Sequence, residues 1–230
     1  MISLHEHNER SRSEQVISKI QQGMNVAYIS DAGSPCISDP GHLLVQRAVE
    51  YQIKVVPVPG PCALTAALSV CGFPSDEFLF CGFLPSREHK RRLFLESVAR
   101  QEQTLVFYES PSRIPALLDD IRDVLGDRRI VTARELTKVY EEISRGLVSE
   151  VAAMISERKT KGEFTVIVQG AFPEKVLLTD QEIEERLTQI LENRSLSLRD
   201  AVSEMVRQTG ESRKKIYQVA VKIRKISDSH

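Results

Sequence analysis

The chain has 230 residues, which is enough for one large domain or two small domains with a buried core. Its formal net charge is -1, so any contact with a polyanion must come from local basic clusters and not from an overall positive field. No apolar run approaches the roughly 20 residues that a membrane-spanning helix needs, and no opening segment has the basic head and apolar core of a secretion signal.

The cysteines indicate a reducing compartment. The four cysteines include no Cys-x-x-Cys pair and lie in or beside apolar runs, at positions Cys36, Cys62, Cys71 and Cys81. This pattern is typical of free thiols and not of a zinc site or a disulfide framework, so we expect a cytoplasmic protein.

The chain opens with a polar segment that carries two imidazoles, His5 and His7, with Glu6 between them. Two histidines at this spacing could hold a metal, but further ligands are not evident nearby, so we expect none. The segment is either an exposed or capping stretch, or a source of groups for proton transfer. Apolar residues at helical spacing then predict a helix over residues 13–22.

Two stretches in the first third share one pattern. Apolar runs that begin at Val26 and Ile53 predict two strands, and each run leads into a loop dense in Gly and Pro and then into a helical pattern. Ligands in open α/β sheets bind beyond the carboxyl ends of the strands. The two loops are therefore predicted to form the walls of a small-molecule pocket, unless their glycines and prolines only turn the chain.

The residue types of these loops favour a ligand held by main chain. Gly33, Gly41 and Gly60 leave no Cβ in the way of a ligand, and the loop prolines stiffen the backbone. No Lys or Arg lies between Val26 and His42, which argues against a phosphate-binding loop.

Alternating strands and helices follow. The predicted strands are residues 78–84, 104–108, 129–133, 139–145 and 164–168. Three helices are predicted: one starts near Arg87, one starts near Pro111, and the third spans residues 148–158. The first of these helices opens with the basic cluster Arg87, Lys90, Arg91 and Arg92. Such a cluster is either a solvated helix face or a phosphate contact. Four charged residues are predicted at strand ends: Glu109, Arg113, Arg134 and Glu135. They either form simple ion pairs or serve as functional groups.

Residues 171–179 are predicted to be a linker, and beyond them the pattern is purely helical, over residues 180–192, 197–208 and 212–226. From Met205 to His230 the chain has seven Lys or Arg and two acids, among them Arg213, Lys214 and Lys215. The last two helices, joined at Gly210, resemble a helix-turn-helix, so we predict that residues 180–230 bind RNA. The alternative is a helical appendage that only buries an apolar face.

Six stretches together resemble one family. Residues 30–41 (SDAGSPCISDPG) and 57–63 (PVPGPCA) are similar to the two loops of the tetrapyrrole-methylase superfamily of S-adenosylmethionine-dependent methyltransferases. HEHNE at residues 5–9, FYESPSR at 107–113 and ARELTK at 133–138, with Lys161-Gly-Glu163, resemble its cytidine 2′-O-methyltransferases of 16S ribosomal RNA. The resemblance covers nearly the whole chain.

The resemblance implies a two-lobed α/β (class III) methyltransferase fold with a small C-terminal all-helical domain. The implied domains are residues 1–72, the remainder of an N-terminal α/β cofactor subdomain, and residues 73–170, a second α/β subdomain. It also implies a homodimer and the small ribosomal subunit as partner, and no membrane.

Site residues follow from the same resemblance. Those expected to touch S-adenosylmethionine, chiefly through main chain, are Asp31, Gly33, Ser34, Ile37, Cys62, Ala63, Tyr108, Glu163, Phe164 and Thr165. Candidates for the base that assists the ribose hydroxyl are His5, Glu6, His7 and Glu109. Candidates for RNA contact are Arg87, Lys90, Arg91, Arg92, Arg113, Arg134, Arg213, Lys214 and Lys215.

One departure from the family pattern leaves alternatives open. Members of the family usually begin with a strand, a Thr-Pro-Ile-Gly-Asn-Leu loop and a Glu-Asp-Thr-Arg segment, and none of these precedes Met1. The chain is therefore expected to be a fragment or a late start. A methyltransferase of porphyrin precursors and a non-catalytic RNA-binding remnant are the two other interpretations.

Overall fold

The computed structural model describes residues 1–157, 161–171, 178–194 and 196–227. The chain divides into two compact units, Met1–Gly170 and Ala171–His230. Most of the predicted linker, residues 172–177, lies outside the described residues, as does Arg158 at the end of a predicted helix. The predicted boundary between residues 72 and 73 falls inside the first unit and stays a prediction.

The first unit is built on a five-stranded sheet. Its strands are β1 Phe78–Phe83, β2 Thr104–Glu109, β3 Arg129–Arg134, β4 Glu142–Leu147 and β5 Phe164–Val168. They lie in the order β1-β2-β5-β3-β4. β1 pairs with β2 in parallel, and the other three pairs are antiparallel. Together with its helices, this sheet confirms the predicted α/β class.

The described residues of this unit also form six helices: α1 Glu9–Gln21, α2 His42–Glu50, α3 Ala63–Cys71, α4 Glu88–Val98, α5 Ile114–Leu125 and α6 Val148–Ser156. Successive strand residues point to opposite faces, which separates two apolar cores. Leu105, Phe107 and Val166 pack in the core that α4, α5 and α6 cover. Val106 and Ile167 pack on the other side, with Leu64 and Ala67 of α3.

Helices α1 and α2 form a smaller core of their own. Val16 and Ile17 of α1 are buried against Leu44 and Ala48 of α2. This pair of helices holds the segment that lies between them, residues 22–41, from both ends.

The two apolar runs at Val26 and Ile53 do not form the predicted strands. Neither belongs to a strand in the structure, and no strand of the described residues pairs with either run. Val26 is 46% exposed, Ile29 78% and Val56 64%. A strand needs a neighbour for its backbone hydrogen bonds, and in the part of the chain that the structure describes neither run has one. This corrects the sequence-based assignment.

Two later boundaries also differ from prediction. Residues Pro111 and Ser112 form a turn, and α5 begins only at Ile114. Val139 lies in a turn, and β4 starts at Glu142. Turns and strand ends share polar residues, so the apolar pattern alone could not fix these ends.

The second unit is helical, as predicted, with α7 Asp180–Arg194, α8 Leu198–Thr209 and α9 Arg213–Ser227. Its core contains Leu178, which precedes α7, and apolar residues of the helices: Ile183, Leu187, Ala201, Val202, Met205, Ile216, Val219 and Ala220. Gly210 ends α8 in the left-handed conformation, with φ 64°. Among the described residues, no helix is both long enough and apolar enough to cross a membrane.

Candidate active site

Several predicted site residues lie at the end of the sheet where β2 ends and β5 begins. Tyr108 of β2 lies opposite Thr165 of β5, and Thr165 lies opposite Ala133 of β3. Glu163 immediately precedes β5. Antiparallel pairing therefore brings three predicted segments, around Tyr108, Arg134 and Glu163, to one edge of the sheet.

The first glycine-rich loop, Ser30–Gly41, is fixed at its end. The hydroxyl of Tyr28 donates to the carbonyl oxygen of Pro40 at 2.6 Å. The Glu9 carboxylate accepts from the backbone N–H groups of Gly41 at 2.7 Å and Leu43 at 3.0 Å. A buried carboxylate at the start of α2 satisfies N–H groups that the helix cannot.

Two glycines let this loop pack closely. Gly41 has φ +122°, and a Cβ there would lie 2.4 Å from the ring of Tyr28. Gly82 of β1 sits at a bulge, and a Cβ on it would lie 3.1 Å from the Ser38 hydroxyl. Cys36 and Ser38 also have positive φ, 68° and 58°. Strained backbone of this kind is typical of functional loops.

The two loops are joined to each other. The Ser34 hydroxyl donates to the carbonyl oxygen of Pro61 at 3.1 Å. A Cβ on Gly33 would lie 3.8 Å from the same carbonyl oxygen. The two loops are therefore in contact, and the backbone of Gly33 carries no Cβ at their junction.

Tyr108 joins the second loop to the sheet. Its hydroxyl accepts a hydrogen bond of 3.1 Å from the backbone N–H of Leu64, in the first turn of α3. The ring lies edge-on to Phe80, with centroids 5.0 Å apart, and burial raises the pKa of Tyr108 to about 12, with Cys62 adding to the effect. The phenol is therefore neutral at pH 7.

Carboxylates surround this junction. Partial burial raises the pKa of Asp39, and the charges of Asp31 and Glu163 raise it further. Mutual influence of this kind places the three groups in one region of negative potential. A ligand with a positive charge suits such a region.

The turn before β5 is positioned by Glu135. Its Oε1 accepts from the Glu163 N–H at 3.0 Å and from Lys138 Nζ at 2.8 Å. The hydrogen bond from Lys138 is the main reason that the pKa of Glu135 is lowered. Gly162 is required here, because a Cβ would lie 2.3 Å from the Glu135 side chain.

The comparisons with known proteins agree with this geometry. Residues 2–152 match the tetrapyrrole (corrin/porphyrin) methylases. The chain belongs to this family. It is 38% identical over 224 residues to "Ribosomal RNA small subunit methyltransferase I" of Synechocystis sp., a match that covers 96% of this chain and 80% of the relative.

A second relative and a solved structure complete the comparison. The chain is 46% identical over 173 residues to the protein of the same name from Escherichia coli O157:H7, which covers 74% of this chain and 60% of the relative. The crystal structure of the methyltransferase CobJ has a TM-score of 0.51 at 22% identity and covers 70% of either chain. This structural likeness concerns the fold, and it confirms the tetrapyrrole-methylase architecture.

In this tetrapyrrole methylase, the predicted cofactor residues fall into two groups. Asp31, Gly33, Ile37 and Ala63 are exposed, and Ser34, Cys62 and Tyr108 are partly buried, all on or beside the joined loops. Phe164 and Thr165 are buried within β5, where both neighbouring strands pair with them. Contact from these two residues to a ligand is restricted by that pairing, whereas the preceding Glu163 is exposed.

The four predicted catalytic side chains have different environments in this methylase. His5, Glu6 and His7 are exposed in the segment before α1. The backbone N–H of His5 donates to the side-chain oxygen of Asn8 at 2.8 Å. The Glu109 side chain is fully enclosed, accepts from the Ser110 N–H at 2.7 Å and lies 3.2 Å from Arg113 Nη2. Glu109 is thus held in an ion pair.

The predicted basic cluster is divided between structure and surface. Arg91 is buried, with its Nε 2.6 Å from Asp120, and Arg92 pairs with Asp120 at 2.9 Å and with Asp123 at 3.2 Å. These pairs fasten α4 to α5 and engage both guanidinium groups. Arg87 and Lys90 are exposed.

Three other predicted RNA contacts are engaged within the protein. Arg113 donates to the Leu84 carbonyl oxygen at 2.6 Å, and Arg134 lies 3.2 Å from Glu142. In the second unit, the Lys215 ammonium donates to the carbonyl oxygen of Leu178. Arg213 and Lys214 are exposed on α9.

Sequence reasoning gave no role at the site to Glu9, which caps α2, or to Asp39, which lies in the negative region. Glu135 was expected at a strand end as an ion pair or a functional group, and in the structure it supports Glu163. The quoted motifs contain all of them, yet nothing in a single sequence shows that Glu9 reaches a loop 32 residues away.

Proposed function

We propose that this chain is an S-adenosylmethionine-dependent methyltransferase that methylates the ribose 2′-hydroxyl of a cytidine in 16S ribosomal RNA of the small subunit. The observation that carries the proposal is the junction of the two loops, Ser34 to Pro61, with Tyr108 fixed beside it. The relatives named as small subunit rRNA methyltransferases support the choice of substrate.

The residues of the junction fit this cofactor. Gly33 presents backbone without a Cβ, Tyr108 adds an uncharged hydroxyl beside the second loop, and Asp31 and Asp39 favour a cationic ligand. When bound, S-adenosylmethionine would supply a methyl group on a positively charged sulfur for transfer to the ribose 2′-oxygen. The proton of that hydroxyl would pass to a base, for which His5, Glu6 and His7 are the candidates.

The protein's main contribution is alignment of the two reactants. The joined loops and the turn that Glu135 supports hold the methyl donor in a fixed place. This positioning makes a reaction between two molecules effectively unimolecular. The exposed group His5, Glu6 and His7 is the better source of a base, because the Glu109 carboxylate is enclosed and paired with Arg113.

The surface cations Arg87, Lys90, Arg213 and Lys214 are the proposed phosphate contacts. Arg91, Arg92 and Lys215 are engaged in internal pairs, and we leave them out of this surface. A cytoplasmic location completes the proposal, since the substrate is a ribosomal subunit. The family resemblance adds a homodimer to it.

The test is methyl transfer from labelled S-adenosylmethionine to small ribosomal subunits that lack this modification. The expected product is one 2′-O-methylcytidine, found by nuclease digestion and mass spectrometry. A Gly33→Val variant should lose cofactor binding, while Gly23→Val, with no atom within 4 Å of its Cβ position, should keep it. Methylation of a porphyrin precursor, with none of the RNA, would establish the other activity of the family instead.

A further inference from the structure

The exposed side of α9 combines positive charge with an aromatic ring. Arg213, Lys214, Tyr217 and Lys222 are exposed, while Ile216, Val219 and Ala220 are buried in the core of the second unit. The helix sequence RKKIYQVAVKIRKIS contains no acidic residue. One side of α9 therefore holds the unit together, and the other presents cations to solvent.

Tyr217 lies among these cations. It is four residues after Arg213 and three after Lys214, so all three side chains are neighbours on one helix face. Tyr217 is 53% exposed, and the core is formed without it. Its ring is therefore available to a partner and is not needed for packing.

The lysine next to this face has a different role. Lys215 Nζ donates to the carbonyl oxygen of Leu178 and lies 3.2 Å from Glu211. It joins α9 to the start of α7 and does not belong to the exposed cationic face. Arg213 is oriented by the Ser203 hydroxyl at 3.2 Å, and Lys222 is exposed beside Asp180 at 3.9 Å.

We propose that this face binds unpaired RNA, with Tyr217 stacked on a base and Arg213 and Lys214 on the flanking phosphates. Every base has a π-face, so an aromatic ring beside cations suits single strands, whose bases are free to turn outwards. In a duplex the bases are stacked on each other and the ring has no access. The proposal rests on the proposed RNA substrate and specifies which part of it this unit holds.

The test uses the full chain, without S-adenosylmethionine, and a single-stranded RNA that contains 2-aminopurine. Binding should quench the probe, because stacking on the tyrosine ring changes its fluorescence. Tyr217→Ala should weaken single-strand binding about 10-fold or more and abolish the quenching, while Tyr217→Phe should keep both. Affinity for the same RNA annealed to its complement should be equal in all three proteins.

Two controls keep the result specific. Tyr51→Ala removes a tyrosine that is 50% exposed in the first unit, and it should leave binding unchanged. Lys214→Ala should weaken binding of both RNA forms and lower the salt dependence by about one counterion. Equal loss of single-strand and duplex affinity in Tyr217→Ala, or loss in Tyr217→Phe, would overturn the stacking role.

This outcome is independent of methyl transfer. If the wild-type chain binds single strands through Tyr217 and yet transfers no methyl group to the small subunit, the RNA face stands and the proposed reaction fails. If methyl transfer occurs and Tyr217→Ala binds single strands normally, the reaction stands and the RNA face is wrong.

Discussion

The Ser34 hydroxyl donates a hydrogen bond of 3.1 Å to the carbonyl oxygen of Pro61, 27 residues later in the chain. This contact joins two loops that the sequence separates by a whole helix. The shape of the proposed cofactor site depends on it, because each loop alone leaves its backbone open to solvent.

Removing this hydroxyl should weaken cofactor binding without unfolding the protein. A net hydrogen bond contributes about 0.5–1.5 kcal/mol, so Ser34→Ala should reduce affinity for S-adenosylmethionine about 2- to 10-fold in a calorimetric titration. Ser69→Ala is the matched control, since that hydroxyl only bonds Ala66 within α3. Equal affinities of Ser34→Ala and wild type would show that the loops hold their positions without the contact.

Tyr108 should lose its proton only at a pH well above that of an ordinary tyrosine. Burial raises its pKa from 10.0 to about 12, so the folded protein holds this proton where the unfolded chain has released it. The resulting stability is complete below pH 10 and is lost as the pH rises through about 12. Near-ultraviolet absorbance should show a late tyrosinate step that Tyr108→Phe removes. A Tyr108→Phe protein with the same late step would assign it to another residue.

Gly41 should tolerate no side chain. Its positive φ and the 2.4 Å approach of the Tyr28 ring both oppose a Cβ, so Gly41→Ala should lower the free energy of unfolding by about 2–4 kcal/mol. Gly72, with φ +77°, has nothing within 4 Å, and Gly72→Ala should cost only about 1–2 kcal/mol of backbone strain. Urea denaturation measures both, and equal losses would mean that the ring of Tyr28 moves aside.

Two neighbouring cations of α4 should behave in opposite ways. Arg91→Met removes one of two arginine partners of the buried Asp120 carboxylate. Because Arg92 still pairs with Asp120, the change should cost about 1–3 kcal/mol of stability. Lys90→Met, at an exposed position, should change stability by less than about 0.5 kcal/mol and weaken RNA binding. Denaturation and RNA titration on both variants test the division, and an unfolding energy unchanged in Arg91→Met would contradict it.

The fold class followed from the sequence because strand and helix periods are strong signals. The bounds of β5, Phe164–Val168, agree with prediction to the residue, since its continuous apolar run is buried on both faces. The runs at Val26 and Ile53 carry the same local signal, and their pairing is a long-range property that a local pattern does not contain.

The site was harder to predict than the fold. The loops were found from their glycines and prolines, and Tyr108 from a motif. Charge alone did not separate Arg91 from Lys90, because burial depends on where α5 places Asp120. The role of Glu9 depends likewise on the packing of α1 against α2. The residues next to Glu9 in the sequence do not indicate this packing.

The run from Val26 to Ile29, with which no strand of the described residues pairs, has a consequence for handling the protein. Exposed apolar backbone without a strand neighbour is a template on which another copy can add a strand, and this is a common start of aggregation. The run after Ile53 is interrupted by Pro57 and Pro59, which cannot donate to such a ladder, so the first run is the more hazardous one. A lysine in place of Ile29, which is 78% exposed, should keep concentrated solutions clear for longer.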